Sequence, residues 1–229
     1  MENNTCDFSF AHYREMLEVL KENGYTFLTF HGLSQIEESE LPEKIVLLRH
    51  DVDKSTSKAL KFADIESELS IPATYFIRLH SNYYNPFSYV AYKELKEIAT
   101  KQHEIGLHTE FFDMAKINKE DGYEMLEREI EIFQHIFKTP VKTLAPHRTS
   151  GSSTMERLQE NLEKVYQGLG IPHAYQSIFT HDFRYLSDSS AIWREGCLCQ
   201  HLLKHHRYHI LTHPCWWFEE HIELEEPLI

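Results

Sequence analysis

Short apolar runs alternate with amphipathic stretches along most of this chain, and no other feature constrains its fold as strongly. The stretches "YTFLTF", "KIVLLRH", "ATYFIRL", "HEIGLH", "VKTLAP" and "HHRYHILTH" read as strands. The stretches "SFAHYREMLEVLKENGY", "STSKALKFADIESELS", "SYVAYKELKEIATKQ", "EDGYEMLEREIEIFQHIF" and "TMERLQENLEKVYQGLG" carry the spacing of one-sided helices. Ser55 or Thr56 can cap the second helix, and Gly24 and Gly168 or Gly170 can end the first and last. Five or six turns of this alternation predict an α/β protein with a largely parallel sheet. "HAYQSI" and "FRYLS" read as shorter, less regular strands. Residues 178–200 break the rhythm, as an insertion or the irregular last part of a barrel.

The chain of 229 residues has room for one barrel-sized domain or two small ones. It contains no repeat, low-complexity tract or Pro/Ser linker, which favours a single domain over 1–229. With 23 basic against 36 acidic residues the net charge is −13, which disfavours a nucleic-acid partner. Residues 218–229, "FEEHIELEEPLI", hold five glutamates and no lysine or arginine and read as a solvated acidic tail. No run reaches the ~18 apolar residues of a membrane span. The start, "MENNTCDFSF", lacks a basic region followed by an apolar one, and four cysteines are too few for a disulfide framework. These features predict a reduced, cytoplasmic protein.

In parallel α/β folds, chemistry gathers at the carboxyl ends of the strands. Four predicted strand ends carry ionisable residues: Asp51 and Asp53 in "LLRHDVD", His108 in "HEIGLH", His147 after "VKTLAP", and His213 after "HILT". Two carboxylates and three histidines make a metal-hydrolase set if a barrel brings them to one rim. Strand period puts Arg49, Asp51 and Asp53 on one face, with His50 and Val52 on the other. One aspartate can then bind a divalent ion while the other acts as a base. The simpler reading of "RHDVDKS" is a strand end with a helix cap and an Arg49–carboxylate pair. Each histidine, taken alone, is more often a hydrogen-bonded core residue than a ligand.

Taken together and in order, "LLRHDVD", "HEIGLHTEFFD", "YLSDSSAIWREG" and "ILTHPCWW" resemble the motifs of the polysaccharide deacetylase superfamily (NodB-type, carbohydrate esterase family 4). The likeness is to its branch with an RHDVD first motif. The resemblance implies a distorted (β/α)7-type barrel that removes acetyl groups from sugars with one divalent metal ion, commonly zinc. It implies Asp51 as general base, and Asp53 and His108 as metal ligands. The family's second histidine ligand, four residues after the first, is Phe112 here. Glu110, Asp113 and His147 are the candidates to replace it. His147 is preferred, because "LAPHRTSG" lies where the family's third motif lies, with Arg148 as that motif's arginine. Asp188 and Trp193 resemble the Asp/Trp pair that supports the catalytic histidine, and His213 resembles the general acid.

Other signals receive plainer readings. "TYFIRLHSNYYNPF" offers Arg78 and Asn82 as substrate contacts or as a polar loop. Trp216 in "CWWF" reads as a sugar platform or as core packing. "TSGSST" reads as a loop and helix cap. "CLCQHLLKHHRYH" reads as a helix leading into the last strand, because Cys-x-Cys is not the usual spacing of a structural zinc site. The expected activity is deacetylation of an amino sugar or of a nucleotide- or lipid-linked sugar precursor of a surface polysaccharide. The alternatives are another acyl hydrolysis, such as deformylation, and a catalytically silent sugar- or protein-binding domain.

Overall fold

Strand β2 (Ile45–Val52) is buried along its whole length and organises the molecule. The computed structural model describes residues 7–147, 166 and 169–220. On one edge β2 pairs with β7 (Arg207–Thr212). Its other edge takes β1 (Thr26–Leu28) against Ile45–Leu47 and β3 (Thr74–Arg78) against Arg49–Val52. Strands β4 (Glu104–Thr109), β5 (Leu144–Pro146) and β6 (Arg184–Ser187) extend the sheet to the order β5-β4-β3-β2-β7-β6, with β1 beside β2. Every pairing among the described strands is parallel. The sheet curls into an open half-barrel with helices outside it.

The two-residue strand period sorts side chains between the inside of the curl and the helix layer. Ile45 and Leu47 of β2 face inward with Phe30, Phe76, Ala145 and Phe179. Val46, Leu48 and Val52 face outward, into the main core beneath the helices. The inward row continues upward from Ile45 and Leu47 to Arg49 and Asp51, so apolar filling gives way to charge at the strand's carboxyl end. Its neighbours follow the same rule, with Phe76 then Arg78 on β3 and Gly106 then His108 on β4.

Helices α1 (Phe10–Glu22), α3 (Thr56–Glu68), α4 (Tyr89–Thr100) and α6 (Gly122–Phe137) cover the outside. Ser9 caps α1 by accepting from the His12 N–H, Ser55 caps α3, and Asp121 caps α6. A buried polar cluster ties this layer to the back of β2. Glu66 of α3 takes hydrogen bonds from Tyr13 of α1 (2.5 Å) and Tyr75 of β3 (2.6 Å), and meets His50 Nε2 at 2.6 Å. His50 Nδ1 reaches Thr212 Oγ1 of β7 at 2.7 Å.

Some elements differ from expectation. "YTFLTF" is a strand only to Leu28, because the Thr29 side chain accepts from Gly32 N–H and starts helix α2 (Phe30–Ser34). The residues after β4, to which the periodicity assigns no element, form helix α5 (Phe111–Asn118), whose Phe111 is fully buried. "HAYQSI" is not a strand: His173 makes a single bridge to Leu144, and a short helix, Ser177–Thr180, follows. Residues 188–206 hold only two further short helical turns, Ser189–Ala191 and Leu198–His201. Phe218, where the acidic tail begins, bridges to Ser9, and residues 221–229 of that tail lie outside the described residues. Arg148, "TSGSST" and most of "TMERLQENLEKVYQGLG" lie outside them too.

Candidate metal and catalytic site

Six parallel strands, β2 to β7, deliver their carboxyl ends to one rim, and ionisable side chains meet there. β2 ends at Val52, and the chain then turns, with Asp53 N–H donating to Asp51 O at 3.0 Å. The turn does not take Asp53 away from the site. Its carbonyl accepts from Ser81 Oγ at 2.9 Å, and its carboxylate faces His108 and His147.

Asp53, His108 and His147 each offer one donor atom, and the three atoms lie within 4.8 Å of one another. Asp53 Oδ1 is 3.6 Å from His108 Nε2 and 3.5 Å from His147 Nε2. Metal–ligand bonds of about 2.1 Å at a tetrahedral angle span an edge of about 3.4 Å, close to both separations. Asp53 Oδ1 and His108 Nε2 are buried, and neither has a hydrogen-bond partner in the structure. Two such atoms facing each other are costly unless something binds between them. The donor set therefore fits a divalent ion.

These candidate ligands are held from behind. His108 Nδ1 lies 2.8 Å from Ala145 O, so that nitrogen donates and Nε2 keeps its lone pair for the site. Burial depresses the pKa of His108 to about 4, which keeps the ring neutral and able to ligate. His147 Nδ1 is 3.1 Å from Glu110 Oε1, and Glu110 accepts from Arg78 Nη2 at 2.7 Å and Nε at 3.2 Å. Burial works against Glu110's charge, but His147 and Arg78 outweigh it and depress its pKa to about 2. Burial opposes charging of His147 as well, yet Asp53 and Glu110 raise its pKa above the ordinary value.

Beside this cluster, Asp51 receives both Arg49 Nε and Nη2 at 2.8 Å. Its Oδ2 lies 3.2 Å from His108 Nε2. Burial would raise the Asp51 pKa, but Arg49 and then His108 carry it well below the carboxylate range. Arg49 lies fully buried over the rings of Phe76 and Tyr175, at 5.5 and 5.0 Å. Opposite stands His213, with Nε2 4.0 Å from Asp53 Oδ2. Its Nδ1 is 2.6 Å from Asp188 Oδ1, and its backbone N–H also donates to Asp188. Burial disfavours the imidazolium, but the Asp188 carboxylate prevails and raises the His213 pKa to about 9.

The structure thus brings Asp51, Asp53, His108, His147, His213 and Asp188 to one place, with Arg78 and Glu110 behind His147. It treats other expected contacts differently. Phe112, at the position of the missing histidine, packs at a tilt against Phe111 with ring centroids 4.0 Å apart, and His147 from the next strand end reaches Asp53 instead. Asp188 accepts an indole N–H from Trp217 Nε1 at 2.8 Å, where Trp193 was expected. Trp193 stacks on Phe8 and meets Trp217 edge-on. Trp216 is only 6% exposed and belongs to the core, which leaves little ring for a sugar. Arg78 spends its guanidinium on Glu110 instead of on open solvent. Asn82 is exposed on the loop after β3. Sequence reasoning missed Trp217 because "CWW" offers two indoles, and strand parity does not extend into the 3-10 turn Pro214–Trp216.

No family model and no curated protein matches this sequence. Solved structures do. IcaB from Ammonifex degensii superposes with a TM-score of 0.50 and 18% identity, over 70% of this chain and 72% of that one. The catalytic domain of peptidoglycan N-acetylglucosamine deacetylase from Eubacterium rectale ATCC 33656 gives 0.50 and 14%, over 79% of each chain. This is the polysaccharide-deacetylase fold. Among the described residues, no helix is long and apolar enough to cross a membrane.

Proposed function

We propose that this protein is a metal-dependent hydrolase that removes an acetyl group from the amide nitrogen of an amino sugar. One observation carries the reading. Two buried, unpartnered donor atoms, Asp53 Oδ1 and His108 Nε2, face each other beside His147, and a histidine held as imidazolium stands across from them.

Asp53, His108 and His147 would hold the ion, with zinc as our assignment. When bound it polarises the acyl carbonyl and lowers the pKa of water. Asp51 orients the attacking water and takes its proton, and Arg49 fixes the carboxylate in place. His213 donates a proton to the departing amine, since an amide nitrogen does not leave as an anion. Asp188 keeps that proton on His213 until then, and Trp217 keeps Asp188 in position. Tyr83, exposed on the loop after β3, with Lys54 4.8 Å above its ring, offers a flat wall for a sugar.

The test uses protein purified without a histidine tag. We expect it to release acetate from N-acetylglucosamine oligomers. We also expect Asp53→Ala and His147→Ala each to lose about one bound ion per chain along with that activity. An ion lost with Asp53→Ala but kept in His147→Ala would move the third ligand to Glu110. Bound metal without acetate release would replace the reading with a sugar-binding domain. Formate release from N-formyl sugars would replace the acyl group.

A further inference from the structure

The longest irregular stretch among the described residues runs from Asp188 to His206, between β6 and β7. It holds two helical turns and four residues of positive φ: Ser190, Ala191, Gly196 and Leu203. Asp188 stands at its start, and β7, which leads to His213, at its end. An irregular connection of this length inside a compact domain usually needs something to hold it.

Three soft donors meet where this segment crosses helix α1. Cys197 and Cys199 come from the segment, and His12 comes from the first turn of α1, 185 residues before Cys197. One ligand atom from each lies within 4.8 Å of the other two. Cys197 Sγ is 3.5 Å from His12 Nε2. Bonds of about 2.3 Å to sulfur and about 2.05 Å to nitrogen, at a tetrahedral angle, span about 3.6 Å. Cys197 is 1% exposed, whereas Cys199 and His12 are half-buried, so the cluster is closed on one side and reachable from the other. The Ser9 cap sets the register that aims His12 at the thiols, and His12 Nδ1 faces Glu15 Oε2 at 4.0 Å.

We propose that His12, Cys197 and Cys199 form a second, structural metal site that takes zinc or another thiophilic divalent ion. Thiolate and imidazole donors select such ions, in contrast to the carboxylate-containing set at the strand ends. Cys-x-Cys is not a zinc knuckle by itself, and the third donor from α1 closes the site. Water supplies a further donor. Binding releases the protons of both thiols and clips the β6–β7 connection to the first helix. It thereby steadies the two elements that carry Asp188 and His213.

Cobalt(II) is the probe, because thiolate ligation gives a near-ultraviolet charge-transfer absorption that nitrogen and oxygen ligands do not. Untagged full-length protein loaded with cobalt should show this absorption. Asp53→Ala should keep it, and Cys197→Ser/Cys199→Ser should abolish it and lower bound zinc by about one ion per chain. Absence of the absorption from the unmodified protein would overturn the proposal and leave a thiol–imidazole hydrogen bond. Its loss in Asp53→Ala would overturn it as well. If the double serine variant does not fold, alkylation of the unmodified protein decides: zinc should slow modification of Cys199 at least tenfold, and an unchanged rate counts against the site. These signals depend on sulfur, so they stand or fall independently of the deacetylase reading.

Discussion

His213 shows how one contact sets a residue's chemistry. Buried without a partner it would be neutral, but with Asp188 at 2.6 Å its pKa rises to about 9. In metal-free protein this imidazolium contributes stability that is complete below the ordinary value of 6.5 and is lost as the pH rises through about 9. Titration by NMR should locate that transition, and Asp188→Asn should move it down toward the ordinary value. A bound cation should also lower it, because Asp53, 4.0 Å away, would then be neutralised. Asp51 permits a separate test. On the proposed roles, Asp51→Asn keeps the shape and the candidate ligand set but removes the base, so kcat/KM should fall about 10²–10⁴-fold with metal content unchanged. Equal loss of metal would instead make Asp51 a ligand.

At the scale of elements, helices outside the sheet are fixed by polar contacts as well as by apolar packing. Glu66 of α3 joins Tyr13, Tyr75 and His50 in a fully buried cluster behind β2. Burial alone would raise its pKa, and His50 is the main partner that lowers it. Glu66→Ala leaves these groups without an acceptor and should destabilise the fold by about 3–5 kcal/mol, measured by urea unfolding. A loss below about 1 kcal/mol would mean that water replaces the carboxylate. Strand β4 packs just as closely on the inside. A Cβ at Gly106 would come within 2.6 Å of the Phe76 ring, so Gly106→Ala should cost about 1–3 kcal/mol. The loop after β3 is pinned by Tyr84, whose hydroxyl donates to Val52 O at 2.6 Å and accepts from Arg78 N–H. That contact carries the loop over the end of β2.

For the whole molecule, the site is a consequence of topology. Asp53, His108 and His147 meet at the carboxyl ends of β2, β4 and β5 because every described strand runs the same way and the sheet curls. A ligand that joins three strand ends stabilises the folded state alone. Zinc at about 100 times its dissociation constant should add about 2.7 kcal/mol. For a chain of this size that is a rise in Tm of roughly 5–10 °C. Scanning calorimetry with zinc and with chelator checks this. The rise should shrink in Asp53→Ala, and an unchanged Tm on chelation would argue against metal at either cluster.

What the sequence determined was local. Strand period sorted Arg49 and Asp51 from His50, and parallel alternation sent every strand end to one rim, because both properties follow from backbone geometry. Composition and spacing also carried the α/β class and most helix positions, though α5 was missed because its apolar Phe111–Phe112 start has no clear one-sided spacing. Tertiary structure alone decided which side chains meet across the barrel. His147, not a residue of α5, reaches Asp53, because register brings the end of β5 beside β4. Trp217, not Trp193, supports Asp188, because a 3-10 turn follows His213. His12 meets Cys197 across 185 residues because α1 packs on the β6–β7 connection. Spacing along a chain fixes direction within one element, and only packing converts it into distance between elements.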